Sequence, residues 1–297
     1  MTQATHPTEI TAHAREILSE ATRFDGTPPV SDQALLAVAQ GHRQVIEQDD
    51  AIGIIGEGEL DLVVRPTARG NGIGGSLLHS LLSHEDRTVE LRAWAHGENP
   101  AATALLRGAG FAPVRELLRL ALAPALLEQA IEAARELPAG FDVRSHEPGN
   151  GAQADDWVRV NAAAFANHPE QGAMTRADFD ALTNEPWFDT ADLRLAYATA
   201  GEHEGELAGF AWVKTVRESD ATETELYALG VDPTFSNIGL GAALLGETLR
   251  RMAMHHPDRI TLYVDGDNEN AVSLYLRAGF GIEQRSTQYL RPAGALG

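Results

Sequence analysis

The hydrophobic and polar positions of this chain change rhythm several times, alternating short apolar runs with apolar residues at helical spacing. Residues 52–55, 60–64 and 89–93 are apolar runs with β-branched members and predict strands. Residues 74–83 then carry a helical pattern. The same order returns further on: 207–214 (LAGFAWVK), 226–231 and 259–264 (RITLYV) predict strands. Between the last two, residues 241–254 predict a helix with Leu244, Leu245, Leu249 and Met252 near one face.

The recurrence is a duplication. Residues 60–78 read LDLVVRPTARGNGIGGSLL and residues 227–245 read YALGVDPTFSNIGLGAALL. At an offset of 167, Val64 meets Val231, Pro66 meets Pro233, Thr67 meets Thr234, Gly72 meets Gly239 and Gly74 meets Gly241. At an offset of 169, residues 99–111 (NPAATALLRGAGF) meet 268–280 (NENAVSLYLRAGF). Offsets this close mark one domain written twice. A turn signal at Pro138 to Gly140, after a helix expected over 123–137, divides the copies into 1–138 and 139–297. A strand from Asp142 to His146 opens the second copy. Each half predicts a sheet with helices on its faces, an α/β (α+β) unit.

Composition narrows the chemistry. The 297 residues carry 43 acids against 23 bases, a net charge of −20, which argues against a nucleic-acid partner. No apolar run is long enough to span a bilayer, and the first twenty residues lack a secretory pattern, so a cytoplasmic chain acting as a monomer is expected, with no membrane partner. There is no cysteine, hence no disulfide or thiolate metal site, and no metal-ligand spacing is found. Of the 23 bases, 22 are arginine and one, Lys214, is lysine.

In both halves a strand and a proline lead into a Gly-x-Gly turn that opens a helix. Free backbone N–H groups and the helix dipole make such a turn a cradle for pyrophosphate. A dinucleotide fold would need the turn at its first strand, not after several strands, and a P-loop would need Gly-Lys-Ser/Thr; neither is present.

What fits is Arg69-Gly-Asn-Gly72-Ile-Gly74, which resembles the R/Q-x-x-G-x-G/A acetyl-CoA motif of the Gcn5-related N-acetyltransferase superfamily. The stretch Asn268, Ala271, Tyr275, Gly279-Phe280 resembles that superfamily's second acetyl-CoA motif. The resemblance implies two tandem domains, each a mixed, mostly antiparallel sheet flanked by helices, with acetyl-CoA as co-substrate and no metal. It implies cofactor contacts from Leu62, Val63, Val64, Arg69, Gly70, Asn71, Gly72, Ile73 and Gly74 in the first copy. In the second copy it implies Leu229, Gly230, Val231, Ser236, Asn237, Ile238, Gly239, Leu240, Gly241, Asn268, Asn270 and Ser273. Ser236 departs from the motif's Arg or Gln, which bears on cofactor affinity.

The copies differ in proton carriers. Acyl transfer to an amine needs a base for the amine and an acid for the departing thiolate. Glu225, expected at a strand start, is the candidate base and Tyr275 the candidate acid; their counterparts are Gly58 and Leu106. The first copy is therefore expected to keep a CoA-type pocket without chemistry, and the second to be catalytic.

Further segments, 24–32 (FDGTPPVSD), 161–172 (NAAAFANHPEQG), 185–189 (EPWFD) and 210–214 (FAWVK), closely resemble a tandem branch of the superfamily in actinobacteria. Its members acetylate the cysteinyl amine of a cysteine–glucosamine–inositol conjugate, a pseudodisaccharide thiol. The resemblance places Asp32, Glu170, Lys214, Glu225 and Tyr263 around that acceptor, with Asp32 bringing the first domain into the cleft. Carboxylates suit a cationic amine and many hydroxyls. Another small amine such as an aminoglycoside, or a non-catalytic acetyl-CoA sensor, are the competing readings. His168 is expected to serve a turn, and His255 and His256 a helix end. The acids of 202–206 and 218–225 are expected to be solvated, Glu225 excepted.

Overall fold

The computed structural model describes residues 10–84, 89–166, 168, 171–217 and 221–294. In chain order the elements are α1 (Ala12–Asp25), α2 (Asp32–Ala39), β1 (Gln44–Gln48), β2 (Ala51–Gly56), β3 (Glu59–Val64), α3 (Ile73–His84), β4 (Leu91–Ala95), α4 (Pro100–Gly108), β5 (Ala112–Leu122) and α5 (Leu127–Glu132). They continue as β6 (Phe141–Ser145), α6 (Gly151–Ala164), α7 (Arg176–Leu182), β7 (Leu193–Ala198), β8 (Leu207–Arg217), β9 (Thr222–Val231), α8 (Leu240–Ala253), β10 (Arg259–Asp265), α9 (Glu269–Arg277) and β11 (Gly281–Arg291).

The chain forms two compact units. The first holds the residues up to Leu118 with Asp265–Asp267 and the chain end from Gln284; the second holds Arg119–Val264 and Asn268–Glu283. The repeat and the compact units are therefore cut differently. Residues 119–138, sequence of the first copy, pack in the second unit, and most of β11 packs in the first.

In the first unit β1, β2 and β3 are antiparallel neighbours, β3 pairs β4 in parallel, and β4 pairs β11 antiparallel. β2 is apolar on both faces because both are covered. Ile52 and Ile54 pack with Ile17 and Ala21 of α1, while Ala51 and Ile55 pack with Leu77 and Leu81 of α3. Helix α1 starts at an N-cap, Thr11, and ends at Gly26 in the left-handed region.

In the second unit β6, β7, β8 and β9 are antiparallel in sequence, and β9 pairs β10 in parallel. One face of β8 is covered by α6 and α7, whose Trp157 and Phe179 pack on Phe210 and Trp212. Helix α8 buries Leu244, Leu245, Leu249 and Met252, the residues expected to share a face. Each unit is thus a mixed, mostly antiparallel sheet with flanking helices.

Three expected elements shift. The helix expected over 123–137 is a 3-10 turn at Pro124–Leu126 followed by α5, which ends at Glu132. Beyond it the backbone leaves the helix and Ala134 lies against α8: a β-carbon at Gly246 would come within 2.7 Å of the Ala134 Cβ. The strand expected over 89–93 begins at Leu91, because Leu91, Ala93 and Ala95 alternate into the core whereas Val89 is exposed. And β9 starts at Thr222, so Glu225 lies inside a strand rather than at its start.

Candidate active site

Along β9 the burial alternates, and Glu223, Glu225 and Tyr227 fall on the half-exposed positions. The register sets Lys214 directly across from Glu225 on β8, and Thr261 beside it on β10. Next along β8, Trp212 is fully buried, so Lys214 begins where the aromatic cover ends. Its ammonium stands 5.5 Å from the Trp187 ring centre and 6.0 Å from that of Tyr227, within cation–π range. The only lysine of the chain thus stands in an aromatic corner beside the candidate base.

A charged row continues from β9 and β10 to residues of β5 and β11. Thr261 and Arg119 both donate to Glu223 Oε1, at 3.0 and 2.8 Å. Arg119, buried, also pairs with Glu283 at 3.0 Å and lies 5.9 Å over the Tyr263 ring. Tyr263 is 37% exposed. Glu223 had been expected among solvated acids; the strand extension and Arg119 hold it instead. Arg119, Glu223, Trp187 and Tyr227 are the members of this face that motif reading missed. The alternation of 223, 225 and 227 is the signal that could have found the two on β9.

Beyond Glu225 the parallel pair opens. Pairing of β9 with β10 is described only as far as Leu226 with Leu262, although β9 runs to Val231. A bulge causes it: Trp212 pairs Ala228 and Val213 pairs Leu226, so Tyr227 is an extra residue that bends β9. Leu229, Gly230 and Val231, the expected cofactor segment, lie in the opened stretch. Their edge toward β10 offers backbone groups to an extended ligand. The first unit has the same opening: β3 and β4 are paired at Glu59–Arg92 and Leu60–Ala93, and Leu62, Val63 and Val64 lie beyond.

At the end of each opening stands the glycine turn. The second copy has Asn237 at φ 63° and Gly239 at φ 90°, where the first has Gly70 at 81° and Gly72 at 80°. Asparagine tolerates this left-handed backbone, so the turn is kept without a glycine. The N–H groups of Leu240, Gly241 and Ala242 precede the first helical bond, Ala243 N–H to the Gly239 carbonyl, and are available to an anion. Ser236, Asn237 and Ile238 are exposed on the turn. Both copies then use the same asparagine cap, Asn99 on Ala102 N–H and Asn268 on Ala271 N–H. Asn270 is exposed on α9, and the Ser273 hydroxyl accepts from Arg277.

The first unit encloses a pocket of about 230 Å³, lined among others by Leu62, Val63, Val64, Arg69, Gly70, Gly72, Ile73 and Gly74. Asn71 is turned to the Ala68 carbonyl instead. Arg69 is not open to a ligand anion: both its terminal nitrogens donate to Asp25, at 2.7 Å each. His96 also lines the pocket, and burial pushes its imidazole down to about 4, so it is neutral.

Tyr275 and Leu106 are both buried on matching helices, and each carbonyl accepts from the phenylalanine five residues on, Phe280 and Phe111, at 3.1 Å. The Tyr275 ring meets Phe280 edge-on, and burial pushes its phenol well above 10. The phenol is therefore neutral at working pH. The base has no such counterpart. Gly58, at φ 77°, sits in the tight turn between β2 and β3, so β3 starts one position after the counterpart of Glu225.

The other expected residues are placed as follows. Asp32 is exposed in the first turn of α2, in the first unit, where the helix dipole favours a carboxylate. Glu170 lies outside the described residues. His168 serves its turn, Nδ1 accepting from Gln171 N–H at 3.0 Å. His255 is not simply dipole compensation: it stands 2.8 Å from Asp192 Oδ1, a fully buried carboxylate that Arg251 also engages.

The profile of the Acetyltransferase (GNAT) family matches residues 161–280. A mycothiol acetyltransferase of Clavibacter sepedonicus is 40% identical over 93% of this chain and 91% of its own. One of Kineococcus radiotolerans is 41% identical over 92% and 90%. The chain belongs to the mycothiol acetyltransferase family. Among solved structures, a GCN5-related N-acetyltransferase of Sphaerobacter thermophilus shares the fold, with TM-score 0.65, 21% identity and 95% and 93% coverage. A tandem GNAT protein from the clavulanic acid pathway does so at TM-score 0.60, 16% identity and 83% and 79% coverage. In this family member no group of residues fit to hold a metal is found among those described, and no described helix is long and apolar enough to cross a membrane.

Proposed function

We propose that the chain is an acetyl-CoA-dependent N-acetyltransferase whose acceptor is the cysteinyl amine of the cysteine–glucosamine–inositol conjugate, the last step toward mycothiol. The observation that carries the reading is the Lys214–Glu225 pair on the open face of the second unit, in a chain similar over nearly its whole length to mycothiol acetyltransferases.

The opened strands and the glycine turn fit acetyl-CoA. Leu229 to Val231 would pair with the pantetheine amides and the α8 amides would take the pyrophosphate. Bound there, the cofactor supplies a thioester carbonyl. Glu225 takes the proton that the amine gives up as the new N–C bond forms, directly or through water. Tyr275 gives its proton to the sulfur as the C–S bond breaks. Lys214, Glu223 and Tyr263 border the acceptor, offering donors and acceptors to its hydroxyls. The first copy contributes no proton chemistry, since Gly58 and Leu106 stand where Glu225 and Tyr275 would be. The net charge of −20 is compatible with a small cationic acceptor and disfavours a polyanionic one.

The test is mass spectrometry of the product after incubation with acetyl-CoA and three acceptors: the full conjugate, the conjugate lacking inositol, and an aminoglycoside. Preferred acetylation of the full conjugate at its cysteinyl nitrogen is expected. Preferred acetylation of the aminoglycoside would overturn the acceptor, and acetylation of none would overturn the activity.

A further inference from the structure

The second copy lacks an arginine in its glycine turn, yet a guanidinium is there. Arg135 lies in the second unit, three residues past α5, and its side chain covers Gly239. A β-carbon at position 239 would come within 2.5 Å of the Arg135 Cζ, 2.6 Å of its Nε and 2.7 Å of one terminal nitrogen. Gly246 explains how it gets there: without a β-carbon at 246 the backbone at Ala134 closes on α8, and the next residue is aimed at the first turn of that helix.

Arg135 is an exposed residue. Among the described residues the Arg135 guanidinium makes no hydrogen bond or ion pair, although acids outnumber bases by 43 to 23. It is set beside the start of α8, where the helix already presents partial positive charge and free N–H groups. An anion at this turn would meet the guanidinium and the free N–H groups together. The first copy solves the same arrangement internally, with Asp25 on Arg69. In the second copy the described residues supply no such carboxylate.

We infer that Arg135 binds the cofactor pyrophosphate in the second unit, taking the place of the side chain that Ser236 lacks. The inference rests on the acetyl-CoA reading above. It makes a residue outside the repeated motif part of the donor site, contributed by a segment that reads in sequence as the tail of the first copy. Arg135 is a binding residue: it touches diphosphate and takes no part in proton transfer.

The experiment compares acetyl-CoA with acetyl-pantetheine, which has the same thioester and no pyrophosphate. Arg135→Ala is expected to raise the KM for acetyl-CoA about tenfold and to leave kcat and the KM for acetyl-pantetheine within about twofold. Calorimetric titration with CoA is expected to weaken by a similar factor, with less dependence on ionic strength. Arg135→Ala/Ser236→Arg, which returns a guanidinium to the motif position, is expected to recover most of the loss. Unchanged acetyl-CoA KM and CoA affinity in Arg135→Ala would overturn the inference. So would an equal loss with both donors, since that is damage to the fold of α8. Wild-type enzyme that neither binds CoA nor turns over would instead overturn the donor reading itself.

Discussion

Replacing Tyr275 by phenylalanine separates chemistry from folding with one atom. The ring stays, so its edge-on contact with Phe280 and the packing of α9 are retained. Among the described residues the hydroxyl has no hydrogen-bond partner, so none is broken. Nor is it a fully buried atom left without a partner, so its removal is expected to change stability by less than about 1 kcal/mol. The melting temperature is therefore expected to stay within a few degrees of wild type. The reaction loses its acid. Positioned proton transfer contributes typically 10²–10⁴-fold, and a thiolate is a tolerable leaving group, so the lower end applies: about a hundredfold in kcat, or about 2.7 kcal/mol of barrier. Because burial raises the phenol, wild-type activity is expected to show no alkaline loss from Tyr275 below pH 10. The assay is product formation by mass spectrometry across pH 6 to 10, beside a thermal melt. A kcat within threefold of wild type would refute the acid role. A hundredfold loss accompanied by a clear drop in melting temperature would refute the claim that the hydroxyl acts on the reaction alone.

Lys214→Met keeps the aliphatic stem against Trp187 and removes the charge; the acceptor KM is expected to rise about tenfold with a smaller change in kcat, measured by initial rates at saturating acetyl-CoA. Asp192→Asn removes the buried charge that Arg251 and His255 share, and is expected to cost about 1–2 kcal/mol in urea unfolding, because Arg251 keeps its pair with Asp189. His96 is held neutral in the fold down to about pH 4, whereas the unfolded chain protonates it near 6.5. Its contribution is present above 6.5 and lost as pH falls toward 4, at most about 3 kcal/mol, and His96→Leu is expected to flatten that part of the acid unfolding curve.

The duplication was legible because its strongest marks are local: a left-handed turn, an asparagine cap and a Gly-Phe helix exit leave the same residues wherever they occur. Glu225 and Tyr275 stand out as candidates through the comparison of copies, and Lys214 through its rarity. What escaped depends on partners distant in sequence. The register that sets Lys214 against Glu225, and the bulge at Tyr227, arise where two long strands meet. Arg119 enters the second unit from the first copy's sequence, more than a hundred residues from Glu223. The end of α5 escaped because helix-forming residues follow it; packing of Ala134 against Gly246 overrides their propensity. Arg135 was hidden for the same reason.

The tight turn at Glu57 and Gly58 gives the first copy a history that point changes cannot reverse. A glutamate placed at 58 would meet a left-handed backbone with the Glu90 carbonyl 3.1 Å from its β-carbon, and would point nowhere useful. Acquiring a base there requires lengthening two strands together, an insertion in register rather than a substitution. On the proposed division of labour, a single substitution in this copy therefore supplies no base, and the geometry of the turn rather than one side chain separates the two halves.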